Sequence, residues 1–377
     1  MTSSFTDSFT DPTSAGFATA RLDRLYTFLA AATADGRLPG AAIQLGRAGH
    51  FLAPRAFGRM RPDVDAPTVQ PDTIFLTASV TKPLTVTAVM LLVERGYLLL
   101  DDPVYTILPA FGNRGKEAVT VRHLMTHTSG LPDMLPNNIA LRQAHAPLAE
   151  FYRQICEVPL DFAPGTNIQY QSCGTATLAM IAEQLTGMAL PAFLRQEFFT
   201  PLGMNDTALG VQDLPHQRIA HVNVGPDMLG TDWGWNTPYW WNLGVPWGGM
   251  FSTVGDMARF CQMFLNGGEL DGVRILSPAT VQAMTSDQTS ANPAIPATVR
   301  AQQAWGLGWR QMPTSTWSYG GNLLSPGSYG HGGATGTVVW VDPVRQVVCM
   351  LFTNEPAVQS EGLLGRVSNL VAAAVVG

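Results

Sequence analysis

The amino-acid sequence predicts an α+β chain, a sheet-and-helix domain assembled from both chain ends with a mostly helical domain inserted between them. Three observations predict it. Short apolar runs bounded by turn residues lie near both ends, at residues 41–45 and 51–57 and again at 305–311, 336–342 and 347–353. Between about Asp72 and Leu270 helical spacing dominates. Hydrophobic residues make up 46% of the 377 residues and charged ones 13%, a balance that requires a large buried core and excludes a disordered chain.

Residues 1–16, rich in Ser, Thr and Asp, read as a frayed, disordered tail; with no basic start and no apolar stretch they do not read as a signal peptide. Residues 17–34 place Phe17, Leu22, Leu25, Phe28 and Leu29 at helical spacing and end near Gly36. The runs 41–45 and 51–57, separated by Gly46 and Gly49, predict a hairpin or adjacent strands. A strong helix spans 82–95 and stops at Gly96, and 121–127, 148–156 and 175–185 are further helices. Thr253 and Asp256 fit a capping box ahead of the helix carrying Met257 to Leu265. Strands follow Trp305, and 363–376 form a closing helix. The sheet domain is thus 17–75 with 300–377 and the inserted helical domain 76–299, with the cleft between them as the natural site.

Net charge is −6, from 22 basic and 28 acidic side chains, and the basic residues are spread singly, which excludes a nucleic-acid surface. Cys156, Cys173, Cys261 and Cys349 form no C-x-x-C pair, so zinc and thioredoxin-like chemistry have no support and free thiols in a reducing compartment are expected. The longest apolar run, 84–93, is about half a bilayer span. A cytoplasmic protein without a membrane span is the expectation. His123 and His127 are four apart but lack the Glu of H-E-x-x-H, so packing and turn roles are expected of them and no metal. No G-x-S-x-G, G-x-G-x-x-G or P-loop occurs, and no cofactor is predicted. Ser129 has no adjacent base and shapes a turn. The sequence assigns no oligomeric state.

All but two of the basic residues are arginines, the exceptions being Lys82 and Lys116. Lys82 closes the tetrapeptide Ser79-Val80-Thr81-Lys82 at the start of the strong helix. Residues three apart share a helix face, with Cβ atoms roughly 5–6 Å apart. Lys82 can therefore reach the Ser79 hydroxyl, and a buried lysine, its pKa lowered, can act as a neutral base. The helix N-terminus favours negative charge developing near Ser79. The competing reading is a capping Ser79 and a solvated Lys82. Against it, Lys82 lies between the apolar run Ile74, Phe75, Leu76 and an apolar helix.

Other segments follow in a set order: Leu100-Asp101-Asp102-Pro103-Val104, His127-Thr128-Ser129-Gly130-Leu131, Pro164-Gly165, Tyr170, Gly248-Gly249-Met250-Phe251-Ser252 and His331-Gly332-Gly333. With Ser79 and Lys82, and from about Leu22 to the C-terminus, the sequence resembles the serine β-lactamase and penicillin-binding-protein superfamily. Nearest is the branch of class C β-lactamases, DD-peptidases and family VIII carboxylesterases. The resemblance implies an antiparallel sheet flanked by helices with an inserted, mostly helical domain. It implies Ser79 as the acyl-accepting nucleophile, Lys82 as its activating partner, and Tyr170 as general base or as proton donor to the leaving group. It places the N–H groups of Ser79 and Ala334 as the oxyanion hole, and Ser172, His331, Gly332 and Gly333 against the substrate.

Two positions depart from the family pattern. Tyr170-Gln171-Ser172 stands for Y-x-N, and His331-Gly332-Gly333 for K-T-G. A lysine in the third element holds a substrate carboxylate; a histidine is mostly neutral near pH 7. Ser172 reaches less far than an asparagine toward an acyl-side amide. Both changes favour neutral esters over carboxylated amides, although some DD-peptidases of this branch also carry the histidine. Five of the nine tryptophans fall between Trp233 and Trp247, in a Gly- and Pro-rich stretch that reads as a loop, lining an apolar acyl pocket or plugging the domain interface. The expectation is a carboxylesterase cleaving short-chain neutral esters through an acyl-enzyme on Ser79, with a small-molecule ester as its substrate. The alternatives are a β-lactamase or DD-peptidase, an acyltransferase on the same site, and a non-catalytic scaffold.

Overall fold

The computed structural model describes residues 9–312, 319–360 and 362–376. A first helix, Thr19–Ala34, precedes β1 (Gly40–Arg47), β2 (His50–Phe51) and β3 (Arg55–Gly58). Next come β4 (Phe75–Leu76), the 3-10 turn Ala78–Val80 and the helix Thr81–Glu94. A largely helical stretch holds β5 (Ala208–Leu209), β6 (Met250–Ser252) and the hairpin of β7 (Glu269–Leu270) and β8 (Val273–Arg274). The chain closes with β9 (Arg310–Met312), β10 (Ser328–Gly333), β11 (Thr337–Asp342), β12 (Val347–Thr353) and the helix Leu363–Ala374.

Strands from both ends build one seven-stranded sheet in the order β2-β1-β12-β11-β10-β9, with β3 also paired to β1. Every pairing in it is antiparallel; Ile43 faces Leu351 and Val338 faces Leu351 across the central ladder. The central strands are apolar without alternation because both faces are covered. Val338, Trp340, Cys349 and Leu351 pack under Leu22, Leu25, Val367 and Val371 of the first and last helices. Val339, Val341, Val348 and Met350 face the opposite way, into the core shared with Met257 and Phe260. This two-fold alternation is the pleat itself.

Three expectations change. Residues 9–16 are not a frayed tail: the Thr10 N–H donates to Phe51 O (2.8 Å), Ala15 is buried, and Gly16 O accepts from Val376 N and from Arg47. Residues 1–8 lie outside the described residues. The helix Val254–Leu265, counted with the insertion, lies on β1, β11 and β12 because its Met257, Ala258, Phe260 and Cys261 stripe has the sheet to cover. Thr253 caps that helix through Asp256 N (3.1 Å), but the Asp256 carboxylate accepts from Asp206 N and Thr207 Oγ1 instead of closing a capping box. All four cysteines are free and buried. Among the described residues no single helix is long and apolar enough to cross a membrane.

Candidate active site

β4 pairs with β6, and the Thr77 N–H and hydroxyl both donate to Met250 O (2.9 and 3.0 Å). The chain then turns sharply: Ala78 has a φ of 46°. That left-handed conformation costs an L-residue about 1–2 kcal/mol. It is retained by Thr81, whose hydroxyl donates to Ala78 O (2.6 Å) and accepts from Met250 N (3.1 Å). Half-buried Ser79 follows immediately, at the entry to the helix Thr81–Glu94.

This helix is buried on all sides except near its end, so Lys82 in its first turn is 1% exposed. Its Nζ donates to Ser79 Oγ (3.1 Å) and to the Trp247 carbonyl (2.9 Å). Burial lowers the Lys82 pKa to about 7, against the opposing pull of Asp133 and Cys173. A large neutral fraction therefore exists at neutral pH. Lys116, the other lysine, is buried elsewhere between Asn113 Oδ1 and Val158 O and has no part in the site.

Tyr170 joins Ser79 through a side-chain hydrogen bond, and Lys82 Nζ lies 4.6 Å from its ring centre. Burial pushes the phenol well above its ordinary value, so the resting hydroxyl is protonated. The ring belongs to an aromatic cluster: His127 at 4.8 Å, Trp305 at 5.9 Å and His331 at 6.0 Å, with His127 and Trp305 edge-on at 4.2 Å.

β10 closes the other side. Thr335 and Thr337, at the turn into β11, donate to Leu76 O (2.6 Å) and Thr77 O (2.7 Å), tying this strand end to the backbone that leads into Ser79. The approach requires glycine: a Cβ on Gly333 would stand 2.3 Å from Thr77 O, and one on Gly332 would meet the Tyr319 ring. Exposed Ala334 follows directly. His331 is 3% exposed. Its Nδ1 is 2.8 Å from Gly332 O, and because a carbonyl only accepts, Nδ1 carries the proton. Nε2 is then a buried acceptor with no partner among the described residues. Burial and the neighbouring Lys82 lower the His331 pKa to about 3, and the ring is neutral.

Ser79, Lys82, Tyr170 and His331 thus converge. Ser172 does not reach out as expected: its hydroxyl and N–H both bond to Asp133 Oδ1 (2.7 and 2.9 Å), at the start of the helix Ser172–Thr186. The tryptophan-rich stretch is not a simple loop. Pro238–Leu243 is helical, and the rings of Trp233 and Trp240 sandwich the buried Arg142 guanidinium at 4.9 and 4.4 Å. Trp247 meets the site through its carbonyl on Lys82, and it also lines a water-sized apolar pocket with Met134, Leu135, Phe151, Ile155, Ser172 and Cys173. His123 and His127 part company. His123 closes a capping box with Thr120, and no group of three metal-ligating side chains exists among the described residues. Ser129 shapes its turn through Leu131 N and Gln171.

Sequence reasoning missed Asp133, His127 as a neighbour of Tyr170, Trp305 and Arg310. Each is distant in sequence from Ser79, Lys82 and Tyr170, and only the H-T-S-G segment around His127 carried any signal.

A family model described as Beta-lactamase matches residues 25–373. The chain belongs to that family. Penicillin-binding protein 4 of Amycolatopsis lactamdurans is 35% identical over 301 residues, which cover 76% of this chain and 73% of that protein. A putative D-alanyl-D-alanine carboxypeptidase of Escherichia coli O157:H7 is 26% identical over 379 residues, covering 92% and 85%. Among solved structures, EstCE1, described as a hydrolase with promiscuous acyltransferase activity, superimposes with a TM-score of 0.77 at 22% identity, over 95% of this chain and 99% of that one. This Beta-lactamase family member is a serine hydrolase of the β-lactamase and penicillin-binding-protein superfamily, with the α+β fold of those neighbours.

Proposed function

We propose that the protein is a carboxylesterase that cleaves short-chain neutral esters through an acyl-enzyme on Ser79. The observation that carries this reading is the desolvated Lys82 amine, 3.1 Å from Ser79 Oγ, beside a neutral His331 where the family pattern has a cation. Neutral Lys82 takes the Ser79 proton as Oγ attacks the acyl carbon. The N–H groups of Ser79 and Ala334 hold the oxyanion. As the ester C–O bond breaks, the Tyr170 hydroxyl gives its proton to the departing alkoxide and is reprotonated from Lys82. Water, or a second alcohol, repeats the sequence in reverse and releases the acyl group. Gly332 and Gly333 let the strand edge approach the substrate. The free, buried thiols agree with a reducing, cytoplasmic setting.

One observation favours a second reading. Arg310 on β9, paired with Gly330 of β10, stacks on Trp305 at 5.4 Å, and its charge is felt at Tyr170, His127 and His331. A guanidinium can hold the carboxylate that His331 cannot. This is the chemistry of a DD-carboxypeptidase, the activity named for several curated relatives. The name of EstCE1 likewise supports acyl transfer to an alcohol on the same site.

The deciding experiment compares initial rates of the wild type and Ser79→Ala on p-nitrophenyl esters from acetate to decanoate, on nitrocefin and on a D-alanyl-D-alanine peptide. Ester turnover that peaks at short chains and vanishes in Ser79→Ala supports the esterase. Faster turnover of the peptide or nitrocefin overturns it in favour of the second reading or a β-lactamase.

A further inference from the structure

His127 occupies an unusual place. It is 3% exposed, and its φ of 60° is left-handed, a conformation that histidine tolerates better than most side chains. The backbone N–H groups on the two sides of Tyr170 both end on this one residue. Gln169 N–H donates to the His127 carbonyl (2.9 Å), and Gln171 N–H donates to His127 Nδ1 (3.2 Å). Between these two bonds the imidazole packs against the Tyr170 ring, 4.8 Å away and tilted by 41°, and the edge-on Trp305 ring flanks both. The His127 segment is itself tied down. Thr128 N donates to His123 O (2.9 Å), Thr126 and Thr128 hydroxyls bond at 2.9 Å, and Gly130 passes so close to Phe162 O that a Cβ would not fit.

The geometry points to His127 as a positioning residue for Tyr170. It clamps the tyrosine at both flanking peptides and at its ring, and so sets where the phenol stands relative to Ser79 and Lys82. Because Nδ1 accepts, the imidazole proton sits on Nε2. A proton on Nδ1 would face the Gln171 N–H. Burial and the charges of Lys82 and Arg310 hold the ring neutral, consistent with that bond. A merely space-filling ring would leave the buried Gln171 N–H without its acceptor. The inference rests on the proposed role of Tyr170 in proton transfer, where a misplacement of about 1 Å costs roughly 10²-fold in rate.

The test is a double-mutant cycle on p-nitrophenyl acetate hydrolysis with Tyr170→Phe, His127→Ala and the double variant, plus His127→Asn and melting temperatures for all. His127→Ala is expected to lower kcat roughly 10²-fold with little change in KM. His127→Asn, whose Oδ1 can stand in for Nδ1 and which tolerates a positive φ, recovers most of that loss. In the Tyr170→Phe background His127→Ala costs less than about 2-fold more, because its effect acts through the missing hydroxyl. Losses that multiply in the double variant, or an asparagine variant as impaired as the alanine one, overturn the inference while leaving Tyr170 in place. Full activity of Tyr170→Phe overturns the role of Tyr170, and with it the inference. If His127→Ala does not fold, the same cycle with His127→Phe, which keeps the ring and deletes the acceptor, gives the same decision.

Discussion

Lys82 Nζ lies 4.6 Å from the centre of the Tyr170 ring, so the amine and the phenol share one desolvated volume. Burial moves them in opposite directions. It makes the amine easier to neutralise and the phenol harder to ionise. This is the ordering the proposed mechanism uses, with Lys82 as base and Tyr170 as acid.

The pH profile follows from this. Lys82 falls from 10.5 to about 7, and the proposed mechanism uses its neutral form. The ester kcat/KM should rise with pH through an acid limb near 7. Lys82→Arg, always charged, should lose about 10³-fold at every pH tested. The same burial costs stability. Between 10.5 and about 7 the unfolded chain binds the extra proton, so the folded state weakens as pH falls through that window. Lys82→Met should therefore melt higher than the wild type at pH 7 while being inactive. A lower melting temperature would contradict this account of the buried amine.

Asp133 raises the Lys82 pKa through its charge while its Oδ1 receives Ser172. Asp133→Asn keeps an oxygen acceptor and removes the charge. The acid limb should move to lower pH, and because Asp133 is exposed the shift between wild type and variant should shrink in high salt. Rate profiles at two ionic strengths check both statements.

Gly333→Ala places a Cβ 2.3 Å from Thr77 O, a backbone atom two residues before Ser79. Strand β10 must retreat, taking Ala334 with it. The expected outcome is a kcat/KM lower by roughly 10²-fold. Wild-type kcat/KM in a folded Gly333→Ala would show that this strand edge does not set the oxyanion geometry.

Arg310→Met separates the two substrate readings. If neutral esters are the substrates, ester kcat/KM should change far less than the turnover of any peptide ending in a carboxylate. A charge-assisted contact contributes about 1.5–3 kcal/mol, so a carboxylated substrate that uses Arg310 should lose about 10- to 100-fold. Parallel assays on p-nitrophenyl butyrate and a D-alanyl-D-alanine peptide give the comparison.

Much of this was legible beforehand for reasons local to the chain. Ser79 and Lys82 are three apart at a helix start, so helix geometry alone brings them together, at 3.1 Å. The apolar runs of β11 and β12 and the spacing of the first and last helices are likewise properties of neighbouring residues. What depended on distant residues was not legible. The lowered pKa of Lys82 comes from its burial in the folded core, and the His331 tautomer from where its ring meets Gly332 O. Ser172 turns to Asp133 because folding places that carboxylate at its helix start, and Val254–Leu265 joins the sheet because β1, β11 and β12 leave a face uncovered. Periodicity and spacing determine which residues form an element and which face it buries. Desolvation, partner choice and proton position depend on groups far apart in sequence, and only the tertiary structure decides them.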